Sequence, residues 1–236
     1  MAVTLNGEAQ VSFPDGILQY VVSDDFSDGV DARQTEGEGV WYLVQTSAAD
    51  TILVADDYVQ ITAYGSNRIT ALFRNRGFKL NAMKAGAVVR FECKFLVSAA
   101  ATCDLRVGVG IHDSGGYTGS IPADFCNFVL TNGSTTLTLV AQKDSSNSGT
   151  PTIGTIANAT QARVAFEFKP TATPSTGTLT AYFNGTEVYS ATVTTFPDDV
   201  FIFPMIEVKL AASGDYARFY RQFTQATMTP YVAGTP

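Results

Sequence analysis

The sequence predicts an all-β chain built as a two-sheet antiparallel β-sandwich, and three observations predict it. Short runs alternating apolar with polar residues recur along the 236 residues, separated by Gly, Asn, Ser and Pro, which is the rhythm of strands and turns. Residues 178–193 (TLTAYFNGTEVYSATV) join two such runs at Asn184-Gly185, a pair favoured by the type I′ hairpin turn because both central residues take positive φ. No stretch carries a sustained apolar stripe at helical period, and no internal repeat or long linker divides the chain.

Residues 1–23 are expected to form an N-terminal arm or edge strand, with Ile17-Leu18-Gln19-Tyr20-Val21-Val22 as their alternating piece. The sandwich is expected over 24–224 and an extended C-terminal tail over 225–236. It opens with an acidic turn, Asp24-Asp25-Phe26-Ser27-Asp28-Gly29, and a run at 40–44 (VWYLV). Residues 58–64 (YVQITAY) alternate, and 68–73 follow the break Gly65-Ser66-Asn67. Over 88–97, Val89, Phe91, Cys93, Phe95 and Val97 share one face while Arg90, Glu92 and Lys94 share the other, a strand with one buried and one wet side.

Residues 104–112 (DLRVGVGIH) set Leu105, Val107, Val109 and Ile111 against Arg106, Gly108, Gly110 and His112. Glycines inside a strand mark curvature or the close approach of another backbone or a ligand, so a concave sheet with a cleared floor is expected there. Runs at 125–130 and 136–142 flank the turn Asn132-Gly133, and 143–155 (KDSSNSGTPTIGT) reads as a loop. After a strand at 162–169 comes the hairpin. Its two-residue turn sets Phe183 against Thr186, Ala181 against Val188 and Thr180 against Tyr189. That register puts Val188 on the core side and Tyr182 with Tyr189 on an exposed one. Runs at 200–210 and 216–223 close the domain.

Glu92-x-Lys94, Glu167-x-Lys169 and Glu207-x-Lys209 each place an acid and a base on one strand face. On antiparallel neighbours this predicts a ladder with each Glu opposite a Lys. Phe201, Phe203 and Met205 share the phase of Glu207, which predicts a bulge or a half-covered strand there.

A net charge of −7 and a pI near 4.6 argue against a nucleic-acid partner, which would need a basic surface. The compact basic cluster Arg74-Asn75-Arg76-Gly77-Phe78-Lys79 reads as a solvated turn. No apolar run reaches membrane-helix length, and no basic region followed by an apolar one opens the sequence, so the expectation is a soluble cytosolic product without a membrane partner. Cys93, Cys103 and Cys126, odd in number and lacking CxxC spacing, read as reduced, partly buried thiols.

Asp24-Asp25-Phe26-Ser27-Asp28-Gly29 followed by Trp41, the late strand-turn-strand LTAYFNGTEVYS, and the closing aromatic strand YARFYRQF together resemble the concanavalin A-like lectin/glucanase jelly roll, including its laminin-G-like members. The resemblance covers residues 24–224. It implies two curved antiparallel sheets packed face to face, first and last strands as neighbours, and a ligand on the concave sheet or its rim loops. Enzymes of that family carry a run resembling Glu-x-Asp-x-x-Glu, which sets two carboxylates on one face. This sequence has none, and His112 beside Asp113 lacks a placed nucleophile, so no catalytic residue is expected. Asp24, Asp25, Asp28 and Asp31 offer oxygens to calcium but lack the EF-hand spacing. A solvated acidic turn is their reading, with no cofactor expected.

Aromatic side chains are the remaining signal, as a sugar-stacking platform or a protein interface. Tyr58, Tyr64, Tyr117, Tyr182, Tyr189 and Trp41 are candidates, with Trp41 read as structural. The residues expected to meet a ligand or partner are Tyr182, Tyr189, Arg106, His112 and Tyr117. Low charge, Thr/Ala/Gly-rich strands and terminal extensions resemble tailed-bacteriophage virion proteins that carry jelly rolls as surface ornaments. That resemblance implies a non-enzymatic virion structural or decoration protein, a homo-oligomer binding other virion proteins and host-surface glycans. The alternative is a carbohydrate-binding, lectin-like module.

Overall fold

The computed structural model describes residues 2–5, 9–12, 18–24, 41–45, 51–55, 58–62, 68–74, 78, 80, 88–111 and 123–228. In chain order the strands are β1 (Ala2–Leu5), β2 (Ala9–Ser12), β3 (Leu18–Asp24), β4 (Trp41–Gln45), β5 (Thr51–Ala55), β6 (Tyr58–Thr62), β7 (Arg68–Arg74), β8 (Val88–Val97) and β9 (Cys103–Ile111). They continue as β10 (Phe125–Leu130), β11 (Thr136–Lys143), β12 (Ser146–Asn147), β13 (Thr152–Thr155), β14 (Ala162–Pro170), β15 (Gly177–Phe183), β16 (Thr186–Val193), β17 (Ile202–Leu210) and β18 (Tyr216–Met228). Among the described residues these strands form two antiparallel sheets of ten and eight. The larger runs β1-β2-β3-β18-β8-β14-β15-β16, with β6 also on β18 and β5 on β6; the smaller runs β12-β11-β10-β9-β17-β7-β4, with β13 on β11.

Alternation dictates how the sheets meet. In β8, Val89, Phe91, Cys93, Phe95 and Val97 are buried while Arg90 is exposed, and β14 repeats this with Ala162, Val164, Phe166 and Phe168 inside. Antiparallel pairing sets Phe91 opposite Phe166, and their rings stack at 5.6 Å. Across the sandwich, Phe128 of β10 meets Phe166 at 6.1 Å. Phe196, from the loop after β16, lies parallel to Phe168 at 3.9 Å. Each such buried ring stabilises by about 1.5–3 kcal/mol. The early strand β3 pairs with the last, β18.

Four details differ from the sequence reading. Strand β18 continues past Thr224 to Met228, with Gln225 paired to Val21 and to Arg90, so the sheet extends into the stretch read as a tail. The loop expected over 143–155 contains β12 and β13. Ile153 is the reason: it is buried, which draws β13 onto β11.

The hairpin turn has the expected positive φ, 51° at Asn184 and 85° at Gly185, and Phe183 faces Thr186. One step later the register shifts: Tyr182 faces Glu187, but Ala181 faces Tyr189. The extra residue, Val188, is exposed, and Tyr189 packs against the core instead. Such a bulge inverts every side chain beyond it. In β17, Ile202, Pro204, Met205, Ile206, Glu207 and Val208 are all buried, so the strand is covered on both sides, which explains the apolar residues in phase with Glu207.

Cys93, Cys103 and Cys126 are free and buried, and desolvation pushes each thiol above its ordinary pKa, which suppresses thiolate chemistry. Among the described residues no helix is long and apolar enough to cross a membrane.

Candidate functional site

The outward side of the ten-stranded sheet is built by the polar phase of β8, β14 and β15. Register places Glu92, Ala165 and Tyr182 side by side on these strands, with Arg90, Glu167 and Thr180 in the next row. Ala165 is too short to fill its place between a carboxylate and a phenol. Two adjoining depressions result, of about 310 and 240 Å3, which share Ala165 and Tyr182 in their lining. Asn184 fixes the wall: its side-chain oxygen accepts the Arg163 N–H at 2.8 Å, and its own N–H donates to the Arg163 carbonyl at 2.7 Å. The hairpin turn thus holds Tyr182 against β14.

Two charge pairs flank the depressions. Arg163 Nη2 donates to Glu92 Oε2 at 2.8 Å, and Arg90 Nε to Glu167 Oε2 at 2.6 Å. Lys169 Nζ lies 2.5 Å from Glu167 Oε1. The expected charged ladder forms only in part: Arg90 rather than a lysine stands opposite Glu167, Glu92 stands opposite Ala165 and bonds Arg163 instead, and Glu207-x-Lys209 lies on β17 in the other sheet. Burial pushes the Glu167 carboxyl up, but its hydrogen bonds from Lys169 and Arg90 outweigh this and hold it below the usual carboxylate range. A carboxylate held ionised accepts hydrogen bonds from hydroxyls. It does not supply the proton that glycosidic cleavage takes from a carboxylic acid of raised pKa.

Further along the same side lies a second aromatic group. Tyr58 and Gln60 come from β6, Tyr216, Arg218 and Tyr220 from β18, and Lys94 from β8. The Arg218 guanidinium sits 4.6 Å from the Tyr58 ring centre and 4.8 Å from that of Tyr216, and its Nε donates to Gln60 Oε1 at 2.7 Å. Lys94 Nζ is 5.3 Å from the Tyr220 ring centre.

The eight-stranded sheet behaves differently on its outward side. Gly108 stands opposite Asn127 and Met205, and Gly110 opposite Phe125 and Phe203. Asn127, Met205 and Phe125 are buried. A Cβ on Gly108 would collide with the Cys126 carbonyl oxygen and the Asn127 side chain, and one on Gly110 would sit 2.6 Å from Met205 Sδ. The glycines therefore admit neighbouring strands and side chains. The floor read as cleared for a ligand is filled. Arg106 lies on this side, 3.5 Å from Glu207, with both side chains largely buried.

At one rim Lys143 Nζ lies 2.5 Å from Asp198 Oδ1 and 3.8 Å from Asp199 Oδ2. The hydrogen bond to Asp198 holds the ammonium above its ordinary pKa despite partial burial. Asp198 and Asp199 precede β17 in a loop, so both reach Lys143 where a strand would have parted them. Among the described residues no three His, Cys, Asp or Glu side chains converge on a metal position. Of the acidic turn, Asp24 belongs to β3, and Asp25, Asp28 and Asp31 lie outside the described residues.

Of the residues expected to bind, Tyr182 lines the depressions, Tyr189 packs on the core, and Arg106 belongs to the other sheet. The pairing of Tyr182 with Tyr189 on one surface is corrected by the bulge at Val188. His112 and Tyr117 lie outside the described residues. Arg90, Arg163, Tyr216, Arg218 and Tyr220 were missed. The alternation of Tyr216, Arg218 and Tyr220 against Ala217 and Phe219 in YARFYRQF carries the signal that finds three of them.

No protein-family model matches the chain, and no curated protein matches it. Solved structures do resemble it. A protein of unknown function from Shewanella oneidensis MR-1 superposes with a TM-score of 0.59 at 15% identity, over 92% of this chain and 90% of that one. The potassium-bound carbohydrate recognition domain of Emp46p gives a TM-score of 0.58 at 9% identity, over 89% and 96%. Peanut lectin bound to a 9mer peptide gives 0.58 at 8% identity, over 89% and 99%. Likeness at these identities is likeness of fold, and the chain has the concanavalin A-like jelly-roll fold.

Proposed function

We propose that the chain is a non-enzymatic carbohydrate-binding module whose ligand lies on the outward side of the ten-stranded sheet at Tyr182. One observation carries the reading: a tyrosine ring borders the gap above Ala165, between two arginine–glutamate pairs. A sugar presents an apolar ring face to an aromatic and hydroxyls to charged donors and acceptors, and shallow sites combining the two are suited to it. The carbohydrate recognition domain and lectin among the fold neighbours support the same reading. That Arg90 and Lys169 hold Glu167 ionised supports a role for it as a hydrogen-bond acceptor in binding rather than as a proton donor.

Calorimetric titration of glycans that score on an array tests this. Tyr182→Ala is expected to weaken binding about tenfold or more, the loss of one well-placed aromatic contact, without product appearing. An unchanged affinity in Tyr182→Ala, or no glycan bound by the wild type, would overturn it. The virion setting, with self-association and contacts to other virion proteins, is the finer part of the proposal. It rests on composition and is read by mass spectrometry of purified particles.

A further inference from the structure

On the face that carries Tyr182, three cations are neutralised: Arg163 by Glu92, and Arg90 and Lys169 by Glu167. Two are not. Among the described residues neither Lys94 nor Arg218 has a carboxylate partner; each lies against tyrosine rings instead. Arg218 is held on three sides, between Tyr58 and Tyr216 and through Nε to Gln60. Its two terminal nitrogens bond no acceptor among the described residues. Lys94 is close by, since Arg218 pairs with Leu96, two residues further along β8. The rings of Tyr58 and Tyr220, 5.8 Å apart, join the two cations into one wall.

We infer that Arg218 and Lys94, with Tyr58, Gln60, Tyr216 and Tyr220, form a subsite for an acidic group, carboxylate or sulfate, of the glycan bound at Tyr182. The inference rests on the glycan-binding reading above and deepens it to an acidic oligosaccharide. A guanidinium already ordered by two rings and a hydrogen bond loses little freedom on binding. Its remaining fork matches a carboxylate or sulfate bidentately, and Lys94 adds a point charge. The chain as a whole is acidic, at −7, so this charge is a local feature rather than part of a basic surface. From β15 to β6 the sheet order crosses β14, β8 and β18, a span of roughly 19 Å at about 4.8 Å per strand step. A short extended oligosaccharide reaches both places.

The test is calorimetry with oligogalacturonate, sulfated galactan and neutral galactan of matched length, on the wild type, Lys94→Gln, Arg218→Gln and Tyr182→Ala. One acidic ligand is expected to bind about tenfold or more tighter than the neutral one, the size of a charge-assisted contact. Which acidic ligand wins tells carboxylate from sulfate. The preference is expected to vanish in Lys94→Gln and Arg218→Gln and to shrink as salt rises. Because Arg218→Gln also removes the filling between two rings, Lys94→Gln is the decisive variant, with folding checked by thermal melting. Equal affinity for acidic and neutral ligands, both lost in Tyr182→Ala, would overturn the acidic subsite and leave the glycan module standing. An acidic preference that survives in Lys94→Gln and Arg218→Gln would also overturn it. Binding to neither acidic ligand by a wild type that still binds a neutral glycan from the array would overturn the acidic subsite alone, and binding to no glycan of any kind would overturn both readings.

Discussion

Each sheet carries an arginine opposite a glutamate on its outward side, and the two pairs occupy different media. Arg90 and Glu167 lie 2.6 Å apart beside an open depression, with side-chain exposures of 51% and 16%, so the cation of this pair is half in water. Arg106 and Glu207 lie 3.5 Å apart, with side-chain exposures of 18% and 9%, in line with the buried Asn127 and Met205. Both faces also have short residues in mid-strand. Ala165 leaves a gap, whereas Gly108 and Gly110 are filled by the Cys126 backbone, Asn127 and Met205. A short residue opens a site only where its neighbours do not lean over it. Among the described residues, that difference leaves the open depressions at Ala165 on the ten-stranded sheet.

The largest expected effect breaks the closed face. Gly108→Ala drives a Cβ into a backbone carbonyl and should cost about 3 kcal/mol, as overpacking against an unyielding strand does. Ala165→Val on the open face should shift the urea midpoint little while filling the depression and abolishing glycan binding. Equal losses of stability from the two would erase the contrast. Next, Glu207→Gln should cost about 2 kcal/mol, since it removes the carboxylate charge of a largely buried pair with Arg106. Glu167→Gln, whose partner Arg90 is half in water, should cost less, about 1 kcal/mol.

The hairpin sharpens the comparison within one strand. Tyr189→Ala removes a ring packed on the core and is expected to cost about 2 kcal/mol, while Val188→Thr at the exposed bulge stays within about 0.5 kcal/mol. The reverse order would restore the unbulged register.

The smallest effect is a pH dependence. The Glu167 pKa is depressed in the fold, so its contribution is complete above the ordinary carboxylate value near ~4.3 and is lost as pH falls through the lower folded value. Denaturation midpoints at pH 7 and pH 3 should therefore drop more in the wild type than in Glu167→Gln. An equal drop in both would remove the role assigned to Arg90 and Lys169.

Alternation made most of the sandwich legible, because β8 and β14 each bury one phase and wet the other. It failed where burial is two-sided or local. β17 is covered on both faces, so its phase carried no direction. The turn at Asn184-Gly185 determines the first pairs of its hairpin, but the bulge at Val188 depends on Tyr189 finding the core, a tertiary gain that no local rule states. The glycines of β9 signalled close approach correctly, without telling a neighbouring strand from a ligand. Tyr182 was legible as an exposed aromatic. Its partners Arg90, Glu92 and Arg163 were not, because only strand order brings β8 and β14 beside β15.

Hydroxyl-radical footprinting with and without a bound oligosaccharide tests the central claim most directly, since it reads both faces in one sample. The account predicts that Tyr182 oxidation falls on binding while Met205 and Phe125 keep their free-state rates. Protection of Met205 and Phe125 with Tyr182 unchanged would contradict it.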